Sequence, residues 1–250
     1  MSNSSLAETL TQSLELAQPP IAVCLLDELP AGVELWSGAA PAGCRFWQEA
    51  STRVFATVPA DHASCAIGQY THNLSMTPAS EKDLGDALRI FDSLSYVREQ
   101  DIPSIPVLKS QPKYVVYGPL ASTPAAPDVV LLFVKPGQTL ILSEASWQVE
   151  GGMPPAMGRP ACAVVPQSAN SARSALSLGC CGARAYLDVL TDDVALYALP
   201  GAGLEALTER IAALASANAT LTKFHQLRRT DIASGNSPSI MDSLAALQRA

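Results

Sequence analysis

The chain has 250 residues, a formal net charge of −7, and 48% hydrophobic against 16% charged residues. That balance supplies enough apolar surface for a sizeable core and withholds the basic face that nucleic-acid phosphates require. No run approaches the roughly 18 uninterrupted apolar residues of a membrane helix, so neither nucleic acid nor membrane is an expected partner.

The opening residues Met1 to Glu8 lack a positive region followed by a hydrophobic one, so no signal peptide is expected and a cytoplasmic location is. Residues 5 to 17 place Leu6, Leu10, Leu14 and Ala17 on one face at helical spacing, and Pro19 and Pro20 end that helix. Ile21 to Leu26 is a continuous apolar run that suits a strand buried on both faces. Glu49 to Ala60 reads as helix passing into strand. Thr77 to Arg98 begins with a capping threonine and continues with Leu84, Leu88, Phe91 and Leu94, the pattern of an amphipathic helix. Pro103 and Pro106 break it. Tyr114 to Pro119 and Val129 to Val134 read as strands. Lys135 to Glu144 is a turn leading into an apolar run, with a short helix as the alternative. Ala161 to Pro166 suggests another strand, Ser168 to Leu178 a helix of small residues, Val194 to Leu199 a last strand and Leu204 to Ala217 a helix.

Helices and strands therefore alternate without a low-complexity linker. The expected class is α/β or α+β, a mixed sheet flanked by helices in one domain spanning 1–250. Residues 18–75 and 128–190 read as pseudo-repeated halves, with peripheral helices over 204–250.

The repeat idea rests on cysteines. Cys44 and Cys65 form one widely spaced couplet and Cys162 and Cys180 another, each with glycine close to its members. Four convergent thiolates are what a soft metal or an iron–sulfur cluster needs, so Cys44, Cys65, Cys162 and Cys180 are the expected metal ligands. Cys-x-x-Cys pairs, the usual structural-zinc spacing, are absent. His62 and His72 flank Cys65; a histidine there can lower a thiol pKa, ligate a metal or bind heme iron. Cys24 lies inside an apolar run and reads as packing, and Cys181 is the reserve for Cys180. Arg45 and Arg184 are candidates to hold a carboxylate or phosphate. Met153 and Met157 sit in the apolar loop Gly151 to Gly158, which is placed to cover a ligand or a flat cofactor. No dinucleotide fingerprint, phosphate loop or serine elbow is present.

The succession Pro20-Ile21-Ala22-Val23, Ala42-Gly43-Cys44-Arg45-Phe46-Trp47, Cys65-Ala66-Ile67-Gly68-Gln69-Tyr70-Thr71-His72, Val130 to Gln138 and Gly179 to Arg184 resembles the DUF169 family. The resemblance runs through most of residues 15 to 200. It implies kinship of fold and no established reaction, because the family is uncharacterised.

Three functions are therefore weighed. The first is a cytoplasmic redox protein or metal-dependent oxidoreductase with an iron–sulfur cluster on the four cysteines, heme or another metal being the variant. The second is a cofactor-free enzyme with Cys65 as nucleophile and His62 or His72 as base, acting on a small acidic or amide substrate. The third is a small-molecule-binding regulatory module whose cysteines pack. The expected partners are a small-molecule substrate or a redox partner protein, and self-association into a homo-oligomer is compatible with all three. Each version that uses the thiols requires segments 41–72 and 158–184 to meet.

Overall fold

The computed structural model describes residues 1–157, 160–186 and 189–249, without the side chains of residues 157, 186, 248 and 249. Its elements in chain order are α1 (Asn3–Leu14), β1 (Ile21–Leu26), α2 (Arg45–Glu49), β2 (Phe55–Thr57), α3 (Ala66–Thr71), α4 (Pro78–Ser93), β3 (Tyr114–Pro119) and β4 (Val129–Val134). There follow α5 (Pro136–Glu150), β5 (Ala156–Met157), α6 (Val164–Ser171), β6 (Ala175–Ser177), β7 (Ala195–Pro200), α7 (Leu204–Ala233) and α8 (Ile240–Arg249). The fold is mixed α/β. Its seven strands form one sheet in the order β2-β3-β1-β4-β7-β6-β5. Neighbours are antiparallel except β5 and β6, which run parallel.

The central strands are apolar along their whole length because both faces of the sheet are covered. Successive side chains point to opposite faces, and β4 divides accordingly. Val129, Leu131 and Phe133 join one core with Ile21 and Val23 of β1, Phe46 and Trp47 of α2, and Val164 and Val165 of α6. Val130, Leu132 and Val134 join a second core with Leu6 and Leu10 of α1, Leu142 of α5, and Leu207 and Ile211 of α7. An antiparallel sheet commonly leaves one face wet. Here α1, α5 and α7 cover one face, while α2, α6 and the cysteine-bearing loops occupy the other.

Local chemistry fixes the helix ends. The Thr77 hydroxyl accepts from the Ser80 amide at 3.2 Å and caps α4. The Gln138 side chain accepts from the Lys135 amide at 2.7 Å and donates to the Leu14 carbonyl at 2.7 Å, which ties the start of α5 to the end of α1. Gly151 ends α5 with φ +76°, a left-handed conformation in which a β-carbon is strained.

Several local expectations change. Ala161 to Pro166 is a 3-10 turn over Ala161–Ala163 followed by the start of α6. The buried apolar run carries no period to separate strand from helix, and Pro166 falls in the first turn of α6, where an amide has no intrahelical acceptor. Ser168 to Leu178 is a helix only as far as Ser171. Ala172 turns left-handed at φ 52°, and the Glu150 carboxylate then holds the Ser174 amide and hydroxyl and positions β6. Glu49 to Ala60 places only the last residue of α2 before β2, and Lys135 to Glu144 belongs to the longer α5. The helix expected over 204–217 continues to Ala233.

Candidate functional site

The face of the sheet opposite α1, α5 and α7 carries a cavity of about 360 Å³. Its wall combines residues 41–72 with residues 160–183, two stretches almost a hundred residues apart, and α4 closes one side. Cys44, Cys65, Cys162 and Cys180 all lie on this wall, together with His62 and His72. Cys24 is elsewhere, packed against Ala56 and Val116.

Each thiol is placed by a helix start or a turn. Cys44 immediately precedes α2, and Cys65 precedes α3. Cys162 lies in the 3-10 turn before α6 and contacts the Thr71 hydroxyl at 3.4 Å. Cys180 follows β6 in a turn that opens at Gly179, whose φ of +89° suits glycine. Glycines also admit the side chains. A β-carbon at Gly43 would lie 3.0 Å from His62 Nδ1, and one at Gly68 would lie 3.1 Å from Cys65 Sγ.

The two imidazoles are buried and neutral. His62 packs edge-on against Phe46 at 4.9 Å between ring centroids, and its Nε2 meets the Thr57 hydroxyl at 2.8 Å. Burial, then repulsion from His72, lowers its pKa from 6.5 to about 3. Burial lowers that of His72 to about 4 against the opposing pull of the Gly68 carbonyl, 3.0 Å from Nδ1. Among the thiols, burial pushes Cys44 up to about 12, and Cys65 and Cys180 add like-charge repulsion. Cys162 is raised well above 9 for the same reasons, burial first and Cys65 next. The wall is therefore soft and mainly apolar, with Trp47, Tyr117 and Phe91 contributing rings and Asp83 at its α4 side.

This geometry overturns the metal reading. Among the described residues, no group of three or more His, Cys, Asp or Glu is disposed to hold a metal ion. The assignment of Cys44, Cys65, Cys162 and Cys180 as ligands of an iron–sulfur cluster, heme or another metal is corrected on that finding. The physical reason lies in their spread and protonation. The thiols are distributed around a cavity, and burial keeps at least Cys44 and Cys162 protonated, whereas a metal binds the thiolate.

The remaining candidates divide. Arg45 lies outside the cavity wall, hydrogen-bonded to Gln48 and paired with Glu49 at 3.9 Å. Arg184 donates to the carbonyls of Thr191, Leu178 and Val194, and so stitches the Cys180 turn to the approach of β7. Met153 is exposed and does not reach the wall. The side chain of Met157, like Gly158, lies outside the described residues. No hydrogen bond joins a thiol to either imidazole among the described residues, and all six cysteines are free.

Sequence reasoning missed the contribution of α4. Asp83, Ala87, Leu88 and Phe91 line the cavity, and Ser80 is the only residue of this helix that is fully buried. Its amphipathic pattern was visible. What that apolar stripe faces is a cavity rather than packed core, and periodicity does not distinguish the two.

The fold and site define a class: a doubly covered, largely antiparallel α/β sheet carrying a mainly apolar cavity lined by thiols and imidazoles. The chain belongs to DUF169, a family described as an uncharacterised ArCR, whose model matches residues 9–210. No curated protein and no solved structure matches it.

Proposed function

We propose that this protein binds a small, uncharged, mainly apolar organic molecule in the cavity between segments 41–72 and 160–183. The observation that carries the reading is the cavity itself, about 360 Å³ and walled chiefly by apolar side chains. This is the size and lining of a small-molecule site. The apolar face of α4 supports it, because Leu88 and Phe91 line the cavity and are only half-buried, leaving apolar surface for a ligand to cover. Among the described wall residues, Asp83 is the only fully charged side chain and no lysine or arginine is present. An anionic substrate would therefore meet no counter-charge.

A reducing, cytoplasmic setting fits this reading. All six cysteines are free and five of them, Cys44, Cys65, Cys162, Cys180 and Cys181, line one cavity, where an oxidising compartment would put them at risk. No helix among the described residues is long and apolar enough to cross a membrane.

The test is titration with N-phenyl-1-naphthylamine, an uncharged dye that brightens in apolar surroundings. One equivalent should bind, and Ala87→Trp, which fills the cavity from α4, should weaken binding by at least tenfold. No binding, or binding indifferent to that substitution, would refute the reading.

A further inference from the structure

We infer that the molecule bound here carries a hydrogen-bond donor, an O–H or N–H, directed at Nε2 of His72. The inference rests on the binding role proposed above and narrows its ligand class.

It follows from counting protons. Two groups meet His72 Nδ1, the Gly68 carbonyl at 3.0 Å and the Thr71 hydroxyl at 3.2 Å. The carbonyl can only accept and the hydroxyl donates to that same carbonyl at 3.1 Å, so Nδ1 carries the hydrogen. In a neutral imidazole the lone pair is then on Nε2. That atom is buried and has no hydrogen-bond partner, although the residue is only 4% exposed and lies on the cavity wall. A buried acceptor left unpaired forfeits its hydration without return, and such groups are uncommon in folded proteins.

The second imidazole repeats the pattern. The Thr57 hydroxyl donates its one proton to the Val115 carbonyl at 3.2 Å, so at 2.8 Å it must accept from His62 Nε2–H. The lone pair of His62 is therefore on Nδ1, the atom beside Gly43. The Thr71 hydroxyl, which donates to the Gly68 carbonyl at 3.1 Å, also meets the Cys162 sulfur at 3.4 Å. His72 thus brings an unpaired ring nitrogen to a mainly apolar wall without a cationic side chain among the described residues. A neutral apolar body bearing a donor group complements it: an alcohol, a phenol or an N–H heterocycle.

Indole and indene separate this inference from the binding role, because they share a bicyclic frame and differ in N–H against CH2. Calorimetry on the full chain should show indole binding roughly tenfold more tightly, consistent with one buried hydrogen bond. His72→Phe should bring the two affinities together while indene binding persists. In the unsubstituted protein, the His72 Nε2 nitrogen-15 resonance should shift with indole and not with indene, a readout that holds even where the variant fails to fold. Equal affinities with an unmoved resonance would overturn the donor requirement and leave the apolar-binding role intact. Failure of both compounds to bind would overturn both.

Discussion

Lowering the pH from 7.5 to 5.0 should destabilise this protein through the two histidines on the cavity wall. Both imidazoles are held neutral in the fold, at about 3 for His62 and about 4 for His72, against 6.5 when free. Below 6.5 the unfolded chain takes up protons that the folded chain refuses. The stabilisation is therefore complete above 6.5 and declines as pH falls toward 4. At pH 5, about 1.5 below the free value, each histidine favours unfolding by about 2 kcal/mol at 1.36 kcal/mol per pH unit, or about 4 kcal/mol together. Against a total of about 5–15 kcal/mol this is a large fraction. Urea titrations at the two pH values measure it directly. His62→Gln and His72→Gln should each remove about half of the acid sensitivity. Equal stability of the unsubstituted chain at pH 7.5 and 5.0, or undiminished acid sensitivity in both variants, would refute the argument.

Two further outcomes are expected. Under limiting iodoacetamide at pH 7.5, exposed Cys181 should be alkylated first, with Cys24, Cys44 and Cys162 last because burial keeps those thiols protonated; peptide mapping gives the order. Arg184→Ala should cost about 1.5–3 kcal/mol in urea unfolding, since it strips a charged donor from three carbonyls, and should weaken dye binding by releasing the Cys180 turn; a change below about 0.5 kcal/mol would show that the stitching is dispensable.

Much of the sheet was legible because its strands announce themselves. Ile21 to Leu26, Tyr114 to Pro119 and Val129 to Val134 are six-residue runs buried on both faces, and each is a strand with those bounds. The shorter pieces were not legible in this way. Ala161 to Pro166 has the same composition as a strand and begins a helix, and β6 is three residues long and held partly by Glu150, 24 or more residues upstream. No local pattern encodes a contact of that kind. The long α7 was underestimated because a helix that leaves the body of the sheet no longer needs an apolar stripe along its length.

The site shows the same division. Glycine close to cysteine and histidine marked positions 43–44, 62, 65, 68, 72 and 179–180 as special, and all of them except Gly179 line one cavity. Residue types at those positions are a property of the sequence. Their protonation is not: an imidazole or a thiol is neutral or charged according to what surrounds it, and only the packed structure removes water from His62, His72, Cys44 and Cys162. The sequence alone determined which soft groups would gather around the segments 41–72 and 160–183. Tertiary structure decided that they line a mainly apolar cavity instead of forming a metal site among the described residues, because burial keeps protons on Cys44 and Cys162 and off the two imidazoles.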